Sequence, residues 1–305
     1  MRYSEAAARP PFLSATHGPS RRFLLPSAPK ARIPMEPLDR SEFPWTHALD
    51  RLPEAKAILR LVSKASLDYA LIEPNDNILV ACSGGKDSYA LAWALWQSRK
   101  RLPFHFDFTC VNIDQGFGGF KQDVVGDYLK RQGAPVQLVQ SNAGEVCRVK
   151  FPAGEDVCWM CARLRRGVLY TTAKRLGCNK LALGHHADDT IETLFLNLFY
   201  TSQLKAMPPR LVTEDKALVV IRPLIYVYEE TTRDFARKMG MPIVDCDCEH
   251  KEHLGDSRRL MVKQLIGELS ARVPELRNHL LASLGRVRLS HLLDRRRLDL
   301  GKPGE

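Results

Sequence analysis

Between residues 77 and 199, short apolar runs alternate with longer stretches of helical spacing, and this alternation constrains the fold more than any other feature of the chain. Residues 77–82, 106–113, 136–139 and 180–183 read as strands, and 86–97, 121–132, 163–176 and 189–199 as helices. Parallel neighbours need a crossover, and a crossover helix covers one face of the sheet. The expectation is therefore an α/β fold, a parallel sheet with helices on both faces. A helical stripe over 53–69 precedes it, and after a strand at 219–221 the chain from 229 to 292 reads as mostly helical. In such sheets ligands bind outside the carboxyl ends of the strands, so the residues just after each strand carry the chemical information.

The first strand runs into Cys82-Ser83-Gly84-Gly85-Lys86-Asp87-Ser88. Two glycines let the backbone turn tightly and bring N–H groups to phosphate oxygens, the following helix adds its positive end, and Ser83 and Ser88 add hydroxyls. Lys86 supplies a point charge. The spacing is not the Walker pattern, in which Gly-Lys is followed directly by Ser or Thr, and this argues against kinase-like transfer of a γ-phosphate. For a bare Gly-Gly, a plain strand-to-helix connection would be the better reading, but the serines on both sides favour phosphate binding. The second strand ends at Asp114, an oxygen ligand suited to Mg2+ or equally a turn-forming carboxylate. The fourth ends in Gly184-His185-His186-Ala187-Asp188-Asp189, where Asp188 or Asp189 could serve only as a helix cap.

Eight cysteines are too dilute for a disulfide scaffold, so a close pair reads as a metal or redox site in a reducing compartment. Cys158 and Cys161 form the one C-x-x-C pair, and Cys246-Asp247-Cys248 forms a second cluster. Four thiolates would close a structural zinc site, whereas three around a cubane iron–sulfur cluster would leave one iron open. Spacing alone leaves both readings standing. Cys82, Cys110, Cys147 and Cys178 read as buried apolar residues. The basic run Arg163, Arg165 and Arg166 follows the pair and is suited to phosphates, with a solvated helix face as the alternative.

Lysine and arginine outnumber aspartate and glutamate by 45 to 35, a formal charge of +10 that suggests a polyanionic partner. Part of that excess lies in the first 35 residues, where Arg2, Arg9, Arg21, Arg22, Lys30 and Arg32 face Glu5 alone without apolar periodicity. This segment reads as a disordered tail, as a transit peptide, or as an extension upstream of a true start at Met35. No stretch approaches the ~20 apolar residues of a membrane span, and no secretion signal is evident, so a cytoplasmic protein is expected.

The run from Cys158 to Tyr200, with SGGKDS at 83–88 and MPPRL at 207–211, resembles the tRNA-cytidine 2-sulfurtransferases, PP-loop ATP pyrophosphatases that make 2-thiocytidine. The likeness implies an adenine-nucleotide α-hydrolase-like fold with helical N- and C-terminal additions, and a homodimer. It also implies ATP and Mg2+ as cofactors, with ATP held by Ser83, Gly84, Gly85, Lys86, Asp87, Ser88 and Asp114. A [4Fe-4S] cluster would be held by Cys158, Cys161 and Cys248. The family usually carries a second C-x-x-C where this chain has C-x-C, so Cys246 remains an alternative to Cys248. By position, Lys86, Arg165 and Asp189 would be catalytic, tRNA the substrate, and a cysteine desulfurase or similar protein the sulfur donor. The domains expected are a disordered basic extension and linker at 1–50, a PP-loop catalytic domain at 51–250 and a helical segment at 251–305. The alternatives are a PP-loop 2-thiouridine synthetase and a non-catalytic RNA-binding protein with a structural zinc site.

Overall fold

A computed structural model describes residues 44–117, 119–151, 158–244 and 258–293. Its centre is a six-stranded sheet in the order β3-β2-β1-β4-β6-β5, with β1 at Asn77–Ala81, β2 at Asp107–Asp114, β3 at Val136–Gln140, β4 at Lys180–Ala182, β5 at Arg210–Val212 and β6 at Val219–Ile221. All neighbours pair in parallel except β5, which is antiparallel to β6. The α/β expectation holds, with one antiparallel edge strand that the alternation did not announce.

Strand side chains divide by turn between two cores. Ile78, Val80, Phe108, Cys110, Ala182 and Ile221 pack on one face, whereas Leu79, Val111, Ile113, Leu181 and Val220 pack on the other. This period of two is what a strand buried on both sides must show. The first face is covered by α1 (Pro44–Arg51), α2 (Pro53–Tyr69), α3 (Lys86–Arg101) and α8 (Glu229–Lys238), with Val125, Tyr128 and Leu129 of α4 (Gln122–Arg131). The second is covered by α6 (Cys158–Arg175) through Leu169 and Ala173. A short α5 occupies Ala143–Lys150. Apolar residues of α7 (Ala187–Thr201), α9 (Arg258–Arg272) and α10 (Leu276–Ser283) form a satellite cluster around Ile191, Val262 and Ile266. No helix among the described residues is long and apolar enough to cross a membrane.

Ahead of residue 51, α1 packs onto the core. Trp45 of α1 is completely buried, its indole N–H donates to Tyr128 Oη at 3.1 Å, and its carbonyl accepts from Trp93 Nε1 and Gln97 Nε2. An isolated tryptophan has no periodicity, so the local pattern gave no sign of this anchor. Lys180 is a second departure from pattern, a lysine only 2% exposed at the start of β4 with Nζ 2.7 Å from both Glu73 and Asp76. A buried cation persists only with such partners.

Replacing Trp45 by alanine is expected to cost about 3–5 kcal/mol, because a large aromatic is removed from a closed pocket. Urea denaturation measures it; a loss below about 0.5 kcal/mol, the range of an ordinary surface change, would show that α1 is peripheral.

Candidate active site

The carboxyl ends of β1, β2 and β4 open into one cavity of about 390 Å3. Ser83, Gly85, Asp87 and Ser88 contribute from the turn after β1, Asp114 and Gln115 from the end of β2, Arg165 from α6, and Gly184, His185 and Asp189 from the turn after β4. Val111, Ile113, Leu169 and Leu183 supply an apolar wall.

Glycine is required at two points of this geometry. Gly84 has φ +88°, and an added Cβ would lie 3.0 Å from Val125 Cγ2 and 3.2 Å from Val244 Cβ. At Gly184 an added Cβ would come 3.2 Å from the backbone carbon of Asp87, a tight contact that would push the β4 turn a few tenths of an ångström off the β1 turn. Gly85 is the N-cap of α3 and has no side-chain cap, which leaves N–H groups of the first helical turn open to an anion. Ser88 Oγ donates to the Gly85 carbonyl at 2.8 Å and braces the turn.

The structure brings most of the expected residues together and sets Lys86 apart. Its Nζ lies 3.0 Å from Asp87 Oδ2 and 3.1 Å from Glu229 Oε1, and Lys86 is not among the cavity-lining residues. Burial works against its charge, but Asp87 and Glu229 outweigh burial and raise its pKa. Glu229 also receives Lys263 Nζ of α9 at 2.6 Å. Burial alone would raise the Glu229 carboxyl; the two lysines reverse this and bring it down to about 2. Asp87 Oδ1 accepts from the fully buried Thr232 at 2.5 Å. Neither Glu229 nor Thr232 was found from the sequence, since both lie in α8, far along the chain from the glycine turn.

At the start of α7 the helix cap is His186. Its Nδ1 accepts from the Asp189 N–H at 3.4 Å, and Asp189 Oδ2 accepts from the His186 N–H at 3.0 Å, a reciprocal capping box. Asp189 is thus a capping residue and a cavity residue at once, its other oxygen 3.7 Å from Arg259. Asp188 Oδ2 accepts from the Glu229 N–H, and Oδ1 lies 3.3 Å from Arg277 of α10. The C-terminal helices therefore supply cations to the acidic motif. Asp114 Oδ1 accepts from the Gly116 N–H at 2.9 Å, so the turn role and the cavity position coexist there too.

The Cys161 thiol lies against Gln115 Oε1, which sets it at the rim of the cavity. Cys158 stands one helical turn earlier on α6. Cys246 and Cys248 lie outside the described residues. Among the described residues no group of three or more His, Cys, Asp or Glu is arranged to hold a metal ion. Two cysteines three positions apart on one helix, with Cys161 next to cavity-lining Gln115, suit the chemistry of a thiolate-held cluster, and the oxygen donor at Asp114 suits Mg2+. Cys82, Cys110, Cys147 and Cys178 are free and buried, as expected.

His185 lines the cavity, and its Nδ1 is buried without a hydrogen-bond partner. Burial lowers its pKa to about 4; Asp189 opposes this, and the charges of Arg222, Arg259 and His186 add to it. A histidine buried neutral must be protonated on acidification, and the unfolded chain, near 6.5, binds that proton first. Its stabilising contribution is present above pH 6.5 and is lost as pH falls toward 4. Denaturation of the wild type should weaken more steeply between pH 6.5 and 5 than that of His185→Asn. Parallel pH profiles would contradict the buried neutral state.

The PP-loop domain family matches residues 55–254. The tRNA-cytidine(32) 2-sulfurtransferase of Anaeromyxobacter dehalogenans (strain 2CP-C) is 47% identical over 250 residues, covering 82% of this chain and 83% of that protein. That of Syntrophotalea carbinolica is 42% identical over 246 residues, covering 81% and 95%. Among solved structures, the U34-tRNA thiolase NcsA from Methanococcus maripaludis with its [4Fe-4S] cluster superposes with a TM-score of 0.60 at 20% identity, over 78% of this chain and 80% of that one, a likeness of fold. With this extent of identity and coverage, and a cavity built from the matching turns, the chain belongs to the tRNA-cytidine(32) 2-sulfurtransferase family of PP-loop proteins.

Proposed function

We propose that the protein is an ATP-dependent tRNA sulfurtransferase that converts a cytidine, at position 32, to 2-thiocytidine. The single observation that carries the reading is the gathering of the glycine turn, Asp114, Arg165 and Asp189 around one cavity with Cys161 at its rim.

The C2 oxygen of cytosine is a poor leaving group and is first activated. It attacks the α-phosphorus of ATP, the bond to the β-phosphate breaks, and pyrophosphate leaves into the turn at 83–88. Open N–H groups at the start of α3 and the Ser83 hydroxyl receive that charge, held in place before the reaction rather than recruited during it. Lys86 contributes its ammonium by exchanging Glu229 for the departing oxygens. Asp114 would hold Mg2+, which when bound neutralises phosphate charge. Hydrosulfide then adds at C2, the C2–O bond breaks, AMP departs with the original oxygen and the S–H proton is lost, so neither the base nor the sulfur changes oxidation state. Cys158, Cys161 and Cys248 would hold the [4Fe-4S] cluster, which when bound offers sulfur an open iron that a closed zinc site lacks. Arg165 and Asp189 line the cavity, which supports a role for Arg165 in pairing with anionic oxygens of either substrate and for Asp189 in orienting the reacting groups. A cysteine desulfurase, with a thiol reductant that releases its persulfide sulfur as sulfide and is itself oxidised to a disulfide, is the proposed source of sulfur, a homodimer the proposed assembly and the cytoplasm the proposed location.

Anaerobically prepared protein with ATP, Mg2+, sulfide and tRNA should yield 2-thiocytidine by mass spectrometry, together with AMP and pyrophosphate. Lys86→Ala and Asp87→Ala should abolish the product while keeping the metal content, since turn and cysteines lie on different elements. Undiminished thiolation in both would overturn the assignment of the turn.

Single serine replacements at Cys158, Cys161 and Cys248 should each remove visible cluster absorption and activity, whereas Cys246→Ser should keep both. Equal damage at all four positions, with stoichiometric zinc and no iron, would replace the three-thiolate site by a closed four-cysteine one.

A further inference from the structure

Arg222 follows β6 directly and is only 9% exposed. One terminal nitrogen donates to the Pro208 carbonyl at 2.7 Å, and the backbone N–H of Arg222 donates to the Pro209 carbonyl at 2.9 Å. Its Nε is buried with no hydrogen-bond partner, and no carboxylate among the described residues forms an ion pair with it. Asp189, the one carboxylate whose charge it feels, is already engaged by the His186 N–H and faces Arg259. Among its nitrogens Nε is the one both buried and unpartnered, and a guanidinium donor left unmatched at such burial is costly unless a ligand supplies the acceptor.

The position indicates which anion. Ile221 pairs with Ala182 in the sheet, so Arg222 stands beside Leu183, two residues before cavity-lining His185. It is two strand spacings from β1, roughly 10 Å from the end of the strand that carries the glycine turn. The cavity opens over β2, β1 and β4, and Arg222 lies beyond it on the β6 side. There it is within electrostatic reach of Arg166 and Tyr170 of α6, and Arg163, Arg165 and Arg166 are all exposed. His185, between the two regions, contributes a second orphaned buried atom, Nδ1. On the reading that the glycine turn and Asp114 hold ATP, the nucleotide phosphates lie over β1 and β2, and the β4–β6 side is left for the other substrate.

We propose that Arg222 is a substrate-binding residue that takes a backbone phosphate of the acceptor RNA, entering from the β4–β6 side with Arg166 at its edge. The inference rests on the reading that RNA is the acceptor. Arginine suits this role because its planar fork matches two phosphate oxygens. A purely structural Arg222, pinning the Pro208–Pro209 turn, would not require the unmatched Nε.

The test uses the full chain and unmodified tRNA, titrated at several salt concentrations, with ATP binding measured separately. Arg222→Gln should weaken tRNA binding about tenfold or more and reduce the slope of log affinity against log salt by roughly one, with ATP affinity unchanged. Arg222→Lys should restore the salt slope with part of the affinity. Unchanged tRNA affinity and slope in Arg222→Gln would overturn the proposal. So would a loss confined to ATP, which would make the anion a phosphate of the nucleotide. If Arg222→Gln does not fold, tRNAs with single anticodon-loop phosphates neutralised as methylphosphonates are compared between the wild type and Arg222→Lys. One position should weaken the wild type, and by less in the lysine variant; equal losses at every position would overturn the proposal. A wild type that thiolates tRNA while Arg222→Gln binds it normally removes this inference alone. A wild type that neither binds nor thiolates tRNA removes the functional reading beneath it.

Discussion

Everything at the site depends on three parallel strands ending at one edge of the sheet. β1 pairs with β2 on one side and β4 on the other, so the turns after them are adjacent although they stand about 100 residues apart at the extremes. Gly184 then lets the β4 turn approach the backbone of Asp87 to a distance that an added Cβ would crowd. The cavity follows from that approach. Its polar floor comes from open N–H groups and carboxylates of the turns, and its apolar wall from residues on the sheet face that α6 covers.

Charge balance then reaches well beyond the cavity. Asp188, Asp189, Glu192 and Glu229 crowd one end of the sheet, and Arg277, Arg259, Lys263 and Lys86 neutralise them from α10, α9 and α3. The C-terminal helices are therefore electrostatically part of the catalytic unit, as well as packed against α7 through Val262 and Ile266. Surface ion pairs of this kind contribute little stability singly, but here they converge on residues that also cap α7 and brace the glycine turn. Their effect is to hold geometry. Arg222 is the exception in this balanced field, a buried cation that pairs with no carboxylate among the described residues and whose Nε has no hydrogen-bond partner.

Elements with strong local signals were read correctly from the chain. The helix over 53–69 and the strand over 219–221 have the expected bounds, and the other strands agree within a residue or two. Elements whose reason is distant were not seen. α1 exists because Trp45 fits between Tyr128, Trp93 and Gln97, contacts with no trace in the residues around it. α5 and the antiparallel β5 are short, and β5 is exposed throughout, so neither had an apolar pattern to reveal it. The start of α6 lay five residues before its apolar spacing began, at the cysteine pair itself.

The sequence by itself determined the fold class and the turns that carry the chemistry, because strand alternation, glycine spacing and a polar residue after a strand are local properties. It also supplied the motif resemblance that named the family. Only the tertiary structure decided which of those residues share a cavity, that Lys86 rests on Glu229 and Asp87 outside it, and that Asp189 combines capping with a place at the site. It alone brought Thr232, Glu229 and the arginines of α9 and α10 to the motif, and left Arg222 Nε buried and unmatched. The physical reason is that burial and the pairing of charges are set by neighbours brought together through the sheet, and distance along the chain carries no record of them.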